Sequence, residues 1–183
     1  MKHSIEIPHS ERLRYRLMNE SDADNLFELD QDPEVMRFLN NSKPTPREDI
    51  EKYFIPRMMA FTDPTKGTGL WAMELIDTGE FVGWILVRPY NFSNENCEWD
   101  NLELGWRTHR SHWNKGLTTE AARAILEVVR EECPEFMKFC AIVDAENLAS
   151  TAVAKKLGMT FKKYTQHVTP KGTFDVEYYD ISR

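Results

Sequence analysis

A strand-like run, Asn101 to Arg107, passes through Ser111-His112-Trp113-Asn114-Lys115-Gly116 into a strongly helical run, Thr118 to Glu131. This joint constrains the fold more than any other stretch, because a short glycine-containing turn must carry a strand directly into a helix. A helix start leaves several backbone N–H groups without partners. With the helix dipole behind them, those donors suit a phosphate or pyrophosphate. Gly116 lets the backbone come close to such an anion. The amides of Trp113, Asn114, Lys115, Gly116, Leu117 and Thr118 are the expected donors, with Lys115 adding charge or standing in solvent. Glu120 would oppose an anion, so it is expected to cap the first turn and face away.

The rest of the chain reads as alternating elements. Glu11 to Leu17 alternates as a first strand, and Ser21 is the expected N-cap of a helix through about Leu29. Asp32-Pro33 restarts a helical turn that turns Val35, Met36, Phe38 and Leu39 inward. Asn40 to Pro46 is a loop. Arg47 to Phe61 reads as a helix kinked by Pro56. Leu70 to Ile76 and Phe81 to Val87 flank Asp77-Thr78-Gly79-Glu80, a hairpin signal. Arg88 to Asn96 is a polar connection and Cys97 to Arg107 the next strand. After the helix come a strand (Phe136 to Val143), a helix (Asn147 to Leu157) and a strand (Met159 to Val168). A turn at Lys171-Gly172 leads into the last strand, Thr173 to Ile181. The order of elements is that of an α+β fold.

Composition narrows the function classes. The 183 residues favour one domain, 1–183, large enough for a real core. A net charge of −7 argues against nonspecific nucleic-acid binding, which needs a basic surface. It is compatible with a cationic acceptor such as an amine. Cys97, Cys133 and Cys140 lack metal-ligand spacing and read as reduced thiols of a cytoplasmic protein. No apolar run approaches the roughly 18 residues of a membrane span, and the N-terminus carries no export signal. His109 and His112 have no third ligand nearby, so no metal is expected.

Two segments in this order carry a family resemblance. His112-Trp113-Asn114-Lys115-Gly116-Leu117-Thr118-Thr119-Glu120-Ala121 resembles the turn Tyr-Trp-Gly-Lys-Gly-Tyr-Ala-Thr-Glu-Ala found in the RimJ/RimL-type branch of the GNAT superfamily of acyl-CoA N-acyltransferases. Glu146-Asn147-Leu148-Ala149-Ser150 followed by Leu157-Gly158-Met159 is similar to that family's Glu-Asn-x-x-Ser and Leu-Gly-Phe. Leu13 to Leu17, Asp30 to Leu39 and Phe81-Val82-Gly83-Trp84-Ile85 also fit, so the likeness runs from about Glu11 to the C-terminus.

The resemblance implies a mixed α+β fold. Its centre is a mostly antiparallel, twisted sheet of about seven strands with a splayed fourth and fifth pair, flanked by about four helices. It implies acetyl-CoA as cosubstrate, no metal, and direct attack by an amine in a ternary complex. The acceptor it favours is a protein N-terminus such as that of a ribosomal protein. A polyamine or aminoglycoside is the alternative, and a non-catalytic acyl-CoA-binding module a further one. Monomer and homodimer stay open.

The resemblance also implies residue roles. Asn147 would hydrogen-bond the pantetheine arm and Ser150 reach the cofactor, while Asn147 also suits a helix cap. The backbone of Gly105, Trp106, Arg107 and Thr108 would line the thioester. A freed amide there would stabilise the oxyanion, worth about 3 kcal/mol, and Gly105 fits a bulge or close approach. Glu103 is the leading general base, acting through a water. Many relatives carry a tyrosine that protonates the leaving thiolate; here that position is Ala154, so no acid is assigned. The five tryptophans read mostly as core or pocket wall. Glu28, Asp30 and Asp32 read as a solvated face rather than an attractor for a cation.

Overall fold

The computed structural model describes residues 3–39, 42–92, 94–169 and 172–183. The strands are β1 (Leu13–Leu17), β2 (Gly69–Leu75), β3 (Phe81–Tyr90), β4 (Glu98–Thr108), β5 (Lys138–Val143), β6 (Thr160–Thr169) and β7 (Gly172–Ser182). They form one sheet in the order β1-β2-β3-β4-β5-β7-β6. Every pairing is antiparallel except β4 with β5. The helices are α1 (Ala23–Leu29), α2 (Arg47–Asp49), α3 (Ile55–Phe61), α4 (Leu117–Glu132) and α5 (Leu148–Lys156). This is the mixed α+β sheet and helix arrangement that the resemblance implied.

Strand side chains alternate between faces, and that alternation divides the core. On one face Ile85, Val87, Leu102, Leu104, Phe139, Ala141 and Val143 pack against α4 through Leu117, Ala121, Ala122, Ile125, Leu126 and Val129. On the other, Leu70, Ala72, Trp84 and Leu86 pack against Leu26, Leu29, Ile50, Ile55, Met58 and Phe61. Burying each such aliphatic side chain contributes roughly 1.5–3 kcal/mol. Beyond α3, the second face carries polar residues into the interior: Arg88, Asn101, Glu103 and Asp180 are all buried.

The β4/β5 pairing is short. It couples only Asn101, Leu102 and Glu103 with Lys138, Phe139 and Cys140. Beyond Glu103 the two strands part: β4 continues to Thr108 along β3 while β5 continues to Val143 along β7. The splay therefore leaves the β5-facing edge of Leu104 to Thr108 without a strand partner.

Several local expectations are corrected. Asn19, not Ser21, caps the first helical segment. Its Oδ1 accepts from the Ser21 amide at 2.9 Å and the Asp22 carboxylate accepts from the Asn19 amide at 3.0 Å, a capping box before the 3-10 turn Glu20–Asp22. Leu39 is exposed and Phe38 only half-buried, while Val35 and Met36 are buried as expected. Pro56 lies in the first turn of α3, preceded by a π-helical segment, Ile50–Phe54. The Ile55 amide donates to Ile50 there. That wide turn accommodates a residue with no N–H to give. Arg88 to Tyr90 belong to β3, not to a connection. Trp99 is exposed, whereas Trp71 and Trp84 are core. Asp30 is buried rather than solvated. Asn40, Asn41 and Lys171, in the expected loop and turn, lie outside the described residues.

Gly83 has a packing reason. Its φ is +150°, and a Cβ there would stand 2.2 Å from the Arg107 carbonyl oxygen. Only glycine lets β3 and β4 run this close.

Candidate active site

The turn before α4 begins with a 3-10 segment, Arg110–His112, whose last bonds run from the His112 amide to His109 O (2.9 Å) and from the Trp113 amide to Arg110 O (3.1 Å). Trp113 thus spends its amide inside the turn. Its indole Nε1 donates to Thr108 O at 2.8 Å and anchors the turn to the end of β4. Thr118 and Thr108 hydroxyls share a 2.8 Å hydrogen bond that pins the other side. Asn114 and Gly116 take left-handed φ values of 59° and 76°. Between these pins the amides of Asn114, Lys115, Gly116, Leu117 and Thr118 have no acceptor among the described residues. Leu117 contributes backbone only, since its side chain is core.

Glu120 faces away from these amides, as expected, and toward the N-terminal segment. It accepts from Ser10 Oγ at 2.6 Å, from the Arg12 amide at 2.9 Å and from Arg12 Nε at 2.8 Å. Burial pushes its carboxyl up, but these hydrogen bonds outweigh it and hold the group below the ordinary glutamate value. Arg12 Nη1 also donates to Lys115 O at 2.9 Å, fixing the turn from outside. Beside it, a groove of about 510 Å³ is lined by Gly116, Thr119, Arg123, Glu127 and Lys156, among others.

The α5 start faces the same strand. Asn147 Oδ1 accepts from the Ser150 amide at 3.1 Å, so Asn147 is the helix cap. Ser150 Oγ accepts from Trp106 Nε1 at 3.1 Å across the splay. Ala154 is fully buried against the core, so no hydroxyl stands at that position. Gly105 pairs with Leu86 in unbroken register, so the expected bulge is not there; the β3/β4 irregularity falls at Pro89/Tyr90. A Cβ at Gly105 would meet only the Leu86 side chain, at 3.3 Å, and no backbone atom approaches within 3.9 Å.

The opposite face of the splay holds the charges. Glu103 lies across from Arg88 in register and is 4% exposed. Arg88 Nε and Nη2 donate to it in a fork of three hydrogen bonds at 3.0–3.1 Å. Arg107 points to this face too, where it pairs with Asp30 and lies over the Trp84 ring at 4.9 Å. Thr45 Oγ1 gives Asp30 a further bond at 2.6 Å. Arg57, on α3, and His167, on β6, both lie in electrostatic contact with Arg88 and Glu103. Tyr90, Cys140 and Tyr178 close the floor. Burial pushes the Tyr90 phenol up to about 12 and the Cys140 thiol well above its usual value, so neither is a ready proton donor.

The structure thus brings the turn, Trp106, Thr108 and Ser150 to one side of the splay and Glu103 and Arg107 to the other. Sequence reading missed Arg57, Arg88 and His167. One signal existed for Arg88, a lone charge inside the apolar run Trp84-Ile85-Leu86-Val87 before Pro89.

A mixed sheet opening after one short parallel pairing, with a helix N-terminus at its mouth, defines an acyl-CoA-dependent acyltransferase. The chain belongs to the GNAT acetyltransferases: the family model for the acetyltransferase (GNAT) domain matches residues 12–160. It is an acetyl-CoA-dependent N-acetyltransferase of that family. Among its relatives is YkkB of Bacillus subtilis (strain 168), an uncharacterized protein, 33% identical over 155 residues that cover 84% of this chain and 85% of that protein. The fold is similar to AAC(6')-Ib solved with ribostamycin and coenzyme A, with a TM-score of 0.76 at 20% identity over 94% of both chains. It is also similar to RimL, a ribosomal L7/L12 α-N-protein acetyltransferase solved with coenzyme A. There the TM-score is 0.70 at 17% identity over 96% of this chain and 97% of that one.

Proposed function

We propose that this enzyme acetylates an α-amino group, and that its acceptor is the N-terminus of a protein or peptide, as the RimL name describes for that neighbour. One observation carries the reading. The buried carboxylates on the acceptor face are already paired, Glu103 with Arg88, Asp30 with Arg107 and Asp180 with Lys162. A polycation such as an aminoglycoside or polyamine needs free carboxylates at several points; a peptide N-terminus brings one ammonium. An α-amino group, with a pKa of about 8, also gives up its proton more easily than a lysine at about 10.4.

The amides of Asn114 to Thr118 bind the pyrophosphate of acetyl-CoA, and the nucleotide end extends along the groove beside Gly116, Arg123 and Lys156. The pantetheine arm lies along the unpaired edge from Leu104 to Thr108, within reach of Asn147 and Ser150. Three hydrogen bonds from Arg88 leave Glu103 about one of its four acceptor sites. That site holds a water, which takes the proton from the acceptor ammonium as it passes one of its own to Glu103. The amine lone pair then attacks the thioester carbon, and a free amide of the β4 edge supports the oxyanion. The intermediate collapses with C–S cleavage. The nitrogen gives up its second proton to solvent, and the thiolate leaves and takes one from solvent, since Ala154 offers none.

The whole chain, 1–183, acts as one catalytic domain, and free cysteines support a reducing, cytoplasmic setting. The test is a mass-spectrometric acceptor screen with acetyl-CoA, using α-amine peptides, polyamines and aminoglycosides. Acetylated peptide N-termini are expected; acetylation confined to the small polycations contradicts the acceptor reading. Tight acetyl-CoA binding with no turnover on any amine would identify a non-catalytic binding module instead.

A further inference from the structure

Around Arg57 the acceptor face sets a second guanidinium, that of Arg88, beside a single carboxylate, that of Glu103. Arg88 and Glu103 satisfy one another. Arg107 and Asp30 do the same. Arg57 is left over. Among the described residues its guanidinium makes no hydrogen bond or ion pair, and its Nε is buried without an acceptor. Arg57 sits one turn before Phe61 on α3, and the Phe61 ring lies 6.0 Å from the Arg88 guanidinium. This places Arg57 beside the Arg88–Glu103 pair, with which it interacts electrostatically. His167 enters the same cluster from β6.

A half-buried guanidinium whose Nε–H has no acceptor is costly unless something complements it. Burial and the neighbouring Arg88 both disfavour its charged form, and Glu103 offsets this only in part because Arg88 already engages that carboxylate. An anion is the natural complement, and a planar carboxylate matches the guanidinium fork best.

We propose that Arg57 reads a carboxylate carried close to the acceptor's α-amino group. The inference rests on the α-amine reading above and narrows it to acidic acceptors. Two sources share the chemistry: an acidic side chain near a peptide N-terminus, and the α-carboxylate of a free amino acid. Arg57 binds the carboxylate while the amine turns toward Glu103 and the thioester, so it is a specificity residue that takes no part in proton transfer.

The experiment measures binding as well as turnover. Synthetic peptides with aspartate, alanine or lysine as second residue, and free glutamate and alanine, are titrated into wild-type protein and Arg57→Gln, each saturated with CoA. Their steady-state acetylation is then measured with acetyl-CoA. Wild type should favour the aspartate peptide over the alanine peptide by about tenfold or more, chiefly in Kd and KM. In Arg57→Gln that ratio should collapse toward one, and Arg57→Lys should restore part of it. Discrimination among the peptides with weak binding of both free amino acids assigns the carboxylate to a side chain. Tight and equal binding of free glutamate and free alanine, without discrimination among the peptides, assigns it to the α-carboxylate. Equal binding of the three peptides together with no binding of free amino acids overturns the proposal. A wild-type preference for the lysine peptide, or an equal loss for every acceptor in Arg57→Gln, also overturns it. Acetyl-CoA affinity of each variant serves as the folding control. If acetyl-CoA does not bind wild type, the cofactor reading itself has failed, a result distinct from lost discrimination.

Discussion

Glu103, the proposed base, and Arg88 form one buried ion pair on which local stability depends. Removing Arg88 while leaving Glu103 strands a carboxylate that is 4% exposed, and breaking such a pair costs roughly 3–5 kcal/mol. Arg88→Met should therefore lose about that much stability in chemical denaturation, and Glu103→Gln in the same background should recover part of it. Glu103→Gln alone should keep acetyl-CoA affinity and lower kcat by about 10²–10⁴-fold; an unchanged kcat would remove Glu103 from the reaction. Two histidines set a pH dependence of folding. Burial holds His109 below the ordinary histidine value, with His112 acting in the same direction against the opposing pull of Glu28, Glu80 and Asp32. Burial also lowers His167; Glu103 opposes it, and Arg88 and Arg57 add to the lowering. Both groups are bound to protons more readily in the unfolded chain. Their contribution is thus present above the ordinary histidine pKa of about 6.5 and lost as pH falls through their lower folded values. The thermal midpoint should decline from about pH 7 toward pH 5, and His109→Gln with His167→Gln should flatten the slope in that window. A midpoint that rises on acidification would contradict it.

At the scale of elements, the two helix starts were legible in the sequence because their signals are local. Gly116 before an amphipathic run and Asn147 before a second helix need only neighbouring residues to be read, and both occupy the expected positions. Gly116→Ala should cost about 1–2 kcal/mol, since its left-handed φ of 76° penalises any Cβ. Asn147→Ala should cost about 1 kcal/mol through the lost cap. Urea denaturation checks both, and a neutral Gly116→Ala would mean the turn relaxes. Of the charged face of the splay, only Glu103 was legible. Arg57, Arg88, Glu103 and His167 lie on four elements, and only tertiary packing and strand register join them. The β3/β4 register is further shifted at Pro89/Tyr90, so counting back from a turn would not have paired Arg88 with Glu103. Asp30 was misread for the same reason: its partner, Arg107, comes from a distant strand. Pro56 was read as a kink because hydrophobic spacing carries no mark of a π turn.

Over the whole molecule, the turn before α4 is tied to the N-terminal segment of the chain. Glu120 ties the turn before α4 to Ser10 and Arg12 at the start of β1. Glu120→Ala removes these bonds, and because Arg12 is solvent-exposed and Ser10 keeps its bond to Tyr15, it should lower stability by only about 1 kcal/mol. It should also weaken acetyl-CoA binding, since Arg12 then no longer steadies the Lys115 carbonyl. The most direct test of the account is isothermal titration of the protein with acetyl-CoA, alongside Gly116→Glu. The account predicts saturable binding at a single site, with Kd of the order of micromolar, that Gly116→Glu abolishes by setting a carboxylate against the pyrophosphate amides. No heat of binding to the wild type, or equal binding by the variant, would contradict it.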